Sequence, residues 1–327
     1  MIFTRRSLMR GSAVTIAGLA SPSILRAQSA ADFPNREIIA MCGFPPGSFN
    51  DVIVRVFTNK LQAHTGKTII VQNRPGAFAN IATEAVARAK PDGHTIYLSG
   101  SSALAAAPHI FKKINFDPVQ DFTYVSTLAT ISFVLLVDAQ KPLHSVADLT
   151  RHMKAKGKGA YASASLTSHV ASELYRHIAG FDADLVNYRT TVNSMNDLLG
   201  GQIDFTFASS SFGLEQQAAG RLRILAMTGT KRMESVPGVP TMVEQGVPGF
   251  DLDDFWIVSV PAKTPPAIVA KLEQWFGEIV ATDEVKQSLL RIGLDPLPGS
   301  AAVAREKMAA QTAAWKRLVE IAKVEKM

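Results

Sequence analysis

Residues 36–66 read REIIAMCGFPPGSFNDVIVRVFTNKLQAHTG, and the fold follows from how this stretch changes its period. Arg36 to Gly43, apolar from Ile38 to Cys42, is a strand candidate that stops at Pro45-Pro46-Gly47. From Ser48 to Thr65 the apolar residues Ile53, Val56, Phe57 and Leu61 fall on one helical face, and Gly66 supplies the stop. The same change recurs along the chain. Strands are expected at Thr68–Asn73, Thr95–Leu98, Ser132–Val137, Gly159–Ala162, Asp184–Asn187, Ile203–Ala208 and Arg223–Met227. Helices are expected over Ile81–Lys90, Val146–Lys156, His169–Ala179 and Val192–Leu199. Alternation at this spacing predicts α/β architecture, with mixed, mainly parallel sheets flanked by helices. Ligands of such sheets bind beyond the carboxyl ends of the strands.

From Pro265 the chain reads as largely helical and ends in a long segment, Ala301 to Val324. If that segment returns to the first domain, the chain crosses twice between lobes, near Ser126–Thr130 and Asp251–Trp256. The expected division is residues 28–128 plus 254–327 for one domain and 129–253 for the other, with a cleft between them. A chain of 327 residues is long enough for two such cores. Its 47% hydrophobic and 19% charged residues exclude a disordered protein.

The N-terminus, Thr4-Arg5-Arg6-Ser7-Leu8-Met9-Arg10, reads as a twin-arginine export signal covering residues 1–27. The apolar stretch behind it, Gly11 to Leu25, is shorter than the ~20 residues a membrane span needs. Cleavage is expected near Leu25-Arg26-Ala27 or Gln28-Ser29-Ala30, against the alternative of an uncleaved anchor; the expected location is the periplasm. Removing Arg5, Arg6, Arg10 and Arg26 leaves 30 basic against 28 acidic residues, so the pI of 9.4 is no argument for nucleic-acid binding. The single cysteine, Cys42, cannot make an internal disulfide and reads as a small buried strand residue.

Three short segments could carry a binding site. Phe44, Gly47, Ser48, Phe49, Asn50 and Asp51 lie where a strand turns into a helix, so that exposed amides and the helix dipole suit a carboxylate. Ser101 and Ser102 follow a strand, and Ser165, Thr167 and Ser168 lie between a strand and a helix. Ordinary capping is the competing use of each one; all three together fit an anion clamp. Trp256 either lines the cleft or packs the hinge. Asp253-Asp254 reads as a solvated loop pair. Catalytic readings lack motifs: the seven histidines form no i, i+4 pair, no serine occupies a G-x-S-x-G elbow, and HTGKT at 64–68 lacks the first glycine of a phosphate loop. No catalytic residue, metal site or cofactor is expected.

The segments FPPGSFNDV, QNRPGAFANIATEAVARAKPDGHTIYLS, FDPVQDFTYVSTLA, NDLLGGQIDFTF, GRLRILAMTGTKR and VPGVPTMVEQGVPGFDL resemble, in order and spacing, the substrate-binding receptors of tripartite tricarboxylate transporters, the Bug family. The resemblance implies a two-lobed periplasmic binding fold of type II that closes on a carboxylate like a Venus flytrap and docks on membrane transporter subunits, as a monomer. A sensor kinase is the alternative partner. Family ligand loops match Phe44–Asp51, Gly100–Ala103, Ser163–Ser168, Asn187–Thr190 and Ala208-Ser209, which adds Ala103, Tyr188, Arg189, Thr190, Ala208 and Ser209 to the candidate site. Departures from the family pattern fall within these loops: Ser48 and Leu166 replace glycines, Asn187-Tyr188-Arg189-Thr190 replaces Pro-Tyr-Lys-Gly, and Ala208 replaces an aspartate. The bulkier side chains narrow the pocket. Loss of the carboxylate at Ala208 disfavours an amino-acid ligand. Arg189 could fork a second carboxylate or be a surface arginine. The ligand expected is a carboxylate with an apolar or aromatic body against Phe44 and Phe49.

Overall fold

The computed structural model describes residues 32–327; the twin-arginine stretch and both cleavage candidates lie outside them. The first lobe opens with β1 (Ile38–Cys42), α1 (Phe49–Thr65) and β2 (Ile69–Asn73). Ser48 caps α1 by accepting from the Asp51 amide, and Gly66 closes it in the left-handed conformation (φ 65°) that a side chain would resist. There follow α2 (Asn80–Ala87), β3 (Thr95–Gly100), the short α3 (Ser102–Ala105) and α4 (Ala107–Ile110), and β4 (Phe122–Ile131).

The second lobe contains β5 (Phe133–Asp138), α5 (Val146–Lys156), β6 (Lys158–Ser163), α6 (Leu166–Ala179), β7 (Asp182–Asn187), α7 (Thr191–Leu199), β8 (Phe205–Ser209), α8 (Ser210–Ala218) and β9 (Leu222–Met227). The chain returns through β10 (Asp254–Pro261) and ends with α9 (Pro266–Ala281), α10 (Asp283–Arg291), β11 (Asp295–Gly299) and α11 (Ala301–Ala322).

The strand orders are β11-β4-β10-β3-β1-β2 in one sheet and β7-β6-β8-β5-β9 in the other. Both sheets are mixed, as expected, although parallel pairings do not predominate in either. β10 runs antiparallel between β3 and β4, and β5 runs antiparallel between β8 and β9. Each crossing strand therefore enters the middle of the sheet it joins. The first crossing lies later than expected. β4 stays paired with β10 as far as Ile131, and only Ser132 separates it from β5. Ser126–Thr130, expected as a linker, is mid-strand. It gave no alternating signal because Val125 to Ala129 is buried throughout.

β10 divides its side chains between two cores. Trp256, Val258 and Val260 enter a first-lobe cluster with Phe57 and Phe276, while Phe255 and Ile257 face the other side. That second cluster is continuous across both lobes, joining Tyr97 and Leu104 to Phe205, Phe207, Val170 and Leu174, with Trp315 of α11. The final helix was expected to pack on the first domain. It packs on β4, α3 and α4 and also on α6 of the second lobe.

Candidate functional site

Four helices begin at one cleft between the sheets, and the same local chemistry starts each. Ser48, Ser165, Thr190 and Ser209 are the caps of α1, α6, α7 and α8, accepting from the amides of Asp51 (3.3 Å), Ser168 (3.1 Å), Asn193 (3.4 Å) and Phe212 (3.3 Å). All four caps line a cavity of about 570 Å³. The first amides of a helix have no intrahelical acceptor, and the dipole puts partial positive charge there. One such end from the first lobe and three from the second thus face the same space. Six aromatic side chains, Phe44, Phe49, Phe78, Phe133, Phe212 and Trp256, supply much of its wall.

The cavity brings together Phe44, Gly47, Ser48, Phe49, Asn50, Ser102, Ala103, Ser165, Thr167, Arg189, Thr190, Ser209 and Trp256. Trp256 is among the lining residues and, 2% exposed, also packs in the first-lobe core. Arg189 is exposed, is the cationic side chain of the lining, and pairs with no carboxylate among the described residues.

Five expected residues stand behind the wall instead. Asp51 is buried and accepts from the Gly47 amide (2.9 Å), Asn73 Nδ2 (2.8 Å) and Arg55 Nε (2.8 Å), which ties the Pro45-Pro46-Gly47 turn to α1. Burial acts to raise its carboxyl, but the bonds from Arg55, Asn73 and Gly47 outweigh it and hold the group below the usual range. Ser101 Oγ donates to Asp254 Oδ1 at 2.6 Å, and Ser168 Oγ donates to the Phe207 carbonyl at 2.6 Å. Tyr188 gives its hydroxyl to Asp197. Ala208 is buried in the second-lobe core beside Val134. A residue-type rule could not separate these from the lining, because all sit within a residue or two of it.

Among the lining residues that went unread in the sequence are Asp254 and Phe78. Asp254, expected in a solvated loop, is 4% exposed and starts β10 on the cavity wall. Phe78 sits in a turn where Ala77, Phe78 and Ala79 all have positive φ (46°, 51° and 74°). Such backbone costs a non-glycine residue ~1–2 kcal/mol and concentrates where function requires it. The turn can approach β1 because Gly43 has no side chain: a Cβ there would meet that of Ala79 at 2.4 Å. The Phe78 and Phe111 rings are tilted at 48° with centroids 6.2 Å apart, and Phe78 also lines the cavity. Phe78→Gly should change stability little, since ~1–2 kcal/mol of relieved strain offsets the lost ring contact. It should weaken an aromatic carboxylate about tenfold, by loss of ~1.4 kcal/mol of stacking. Denaturant midpoints and calorimetric titration check both; a large stability loss with unchanged affinity would make Phe78 a core residue only.

The family model for the tripartite tricarboxylate transporter family receptor matches residues 53–324. Protein BugT of Bordetella pertussis is 31% identical over 323 residues, covering 98% of this chain and 98% of BugT. An R. palustris protein solved with adipate superposes with a TM-score of 0.84 at 28% identity, covering 90% of this chain and all of that one. The periplasmic binding protein BugD does so with a TM-score of 0.82 at 26% identity over the same shares. The chain belongs to the tripartite tricarboxylate transporter receptor family.

Proposed function

We propose that this protein captures a small organic carboxylate with an apolar or aromatic body and presents it, chemically unchanged, to the membrane subunits of a tripartite tricarboxylate-type transporter in the periplasm. The observation that carries the reading is the convergence of four capped helix N-termini from two lobes on one aromatic-walled cavity. The helix ends suit the charge and the rings suit the body of such a ligand. Arg189 in the lining suits the carboxylate as a fork of donors. The adipate in a structural relative supports the ligand class. Closure would hinge on Ile131–Phe133 and Leu252–Asp254, moving the segments around them as two bodies, with the closed surface recognised by the partner.

A thermal-shift screen of mono-, di- and aromatic carboxylates against cationic amines tests this. A ligand at ~100 times its Kd adds ~2.7 kcal/mol to stability, and chromatography should recover it intact. Tight binding of a simple amine with no response to any acid would refute the reading, and turnover of the bound acid would refute passive capture.

A further inference from the structure

Resting on that ligand class, the geometry points to Asp254 as the residue that sets specificity: it makes the cleft floor a hydrogen-bond acceptor, so that the ligand is a carboxylate bearing a hydroxyl or ammonium at its far end, and a dicarboxylate is rejected. The donors expected to hold a ligand anion are already engaged. Ser101 Oγ (2.6 Å) and the amides of Ser102 (3.2 Å) and Phe255 (2.9 Å) donate to Asp254 Oδ1. Ser102 Oγ (2.7 Å) donates to Oδ2, as does Thr167 Oγ1 from the other lobe (3.4 Å). A backbone N–H can only donate, so Oδ1 is an acceptor, while Oδ2 is met by two hydroxyls that can donate to it or accept from it.

No ion pair involving Asp254 exists among the described residues, and the lining cation, Arg189, is exposed while Asp254 is buried. Burial raises the Asp254 carboxyl against its hydroxyl and amide donors, so its hydrogen bonds are made in a desolvated setting with no cation paired to it. A ligand hydroxyl or ammonium on Asp254, or on the lone pairs left on Ser102 Oγ and Thr167 Oγ1, would supply a further donor. A second carboxylate there would meet like charge in a desolvated site. Asp254 and Glu215 are the two acids of the cavity lining, so amino- and hydroxy-acids return to the candidate ligands.

Two matched series test this by calorimetric titration. One is hexanoate, 6-hydroxyhexanoate, 6-aminohexanoate and adipate; the other is phenylacetate, 4-hydroxyphenylacetate, 4-(aminomethyl)phenylacetate and 4-carboxyphenylacetate. In each, a donor-bearing member should bind at least about tenfold tighter than the dicarboxylate of equal length. Asp254→Asn and Asp254→Ser should shrink that ratio to about threefold or reverse it. A dicarboxylate binding tightest to the unaltered protein overturns the inference without any variant, as does a ratio that both variants leave unchanged; in either case the carboxylate reading survives. If no acid in either series binds while hexylammonium does, the carboxylate reading fails and takes this inference with it.

Discussion

Trp315→Ala is expected to lower the stability of the protein by about 3–5 kcal/mol, the cost of emptying a large, fully packed site. Trp315 is wholly buried on α11, within the apolar cluster that runs from the first lobe into the second. Its indole Nε1 has no hydrogen-bond partner, so what the residue contributes is volume and apolar contact. Trp315→Phe keeps most of that volume and removes the orphaned donor, and should cost less than about 1.5 kcal/mol. Because α11 also packs on α6, whose first turn faces the cleft, the alanine variant should bind ligand more weakly even where it remains folded. Urea midpoints for both variants, with titration of the folded fraction, decide the matter. Equal losses from alanine and phenylalanine would mean that the indole ring itself, rather than its bulk, is required.

Trp315 also marks where sequence patterns stop informing. The helix carrying it was legible from its length and period, but its attachment to α6 was not, because an amphipathic face does not name its partner. The turns after β1 and β6 were legible for a local reason. Ser48 and Ser165 cap the helices beside them, and capping chemistry lies within four residues. Asp254 was misread because its burial comes from Ser101 and Ser102, more than 150 residues away in the chain, and from Thr167 in the other lobe. Phe78 was missed because a positive φ at a phenylalanine has no sequence signature; propensity would place it anywhere but there. β4 was lost as a linker because a strand covered on both faces shows no alternation. The errors therefore fall along the cleft and hinge, where long-range contacts overrule local preference.

The second large effect concerns Asp51, which touches no cavity surface yet holds the first binding turn in place. Asp51→Ala strands three donors at once: the Gly47 amide, Asn73 Nδ2 and Arg55 Nε. Arg55 is half exposed and water can serve it, whereas Asn73 also ties the turn through the Phe44 carbonyl at 2.9 Å. The loss should be about 2–4 kcal/mol of stability, with a fall in carboxylate affinity because the amides of Phe49 and Asn50 are no longer held ready. The pH dependence gives an independent sign. Hydrogen bonds hold the folded Asp51 carboxyl below its ordinary value of about 3.9, so the folded state binds its proton less readily than the unfolded chain. Its contribution is present in full above that ordinary value and is lost as pH falls below it, through the depressed folded value. Asp204, held low by the Lys156 ammonium and the Ala160 amide against the opposing effect of its burial, behaves the same way and remains in the variant. Asp51→Ala should thus be less stable than the parent protein at neutral pH, and the gap should narrow in acid. A gap that stays constant down to pH ~3 would show that the carboxylate charge on Asp51 plays no part in holding the turn.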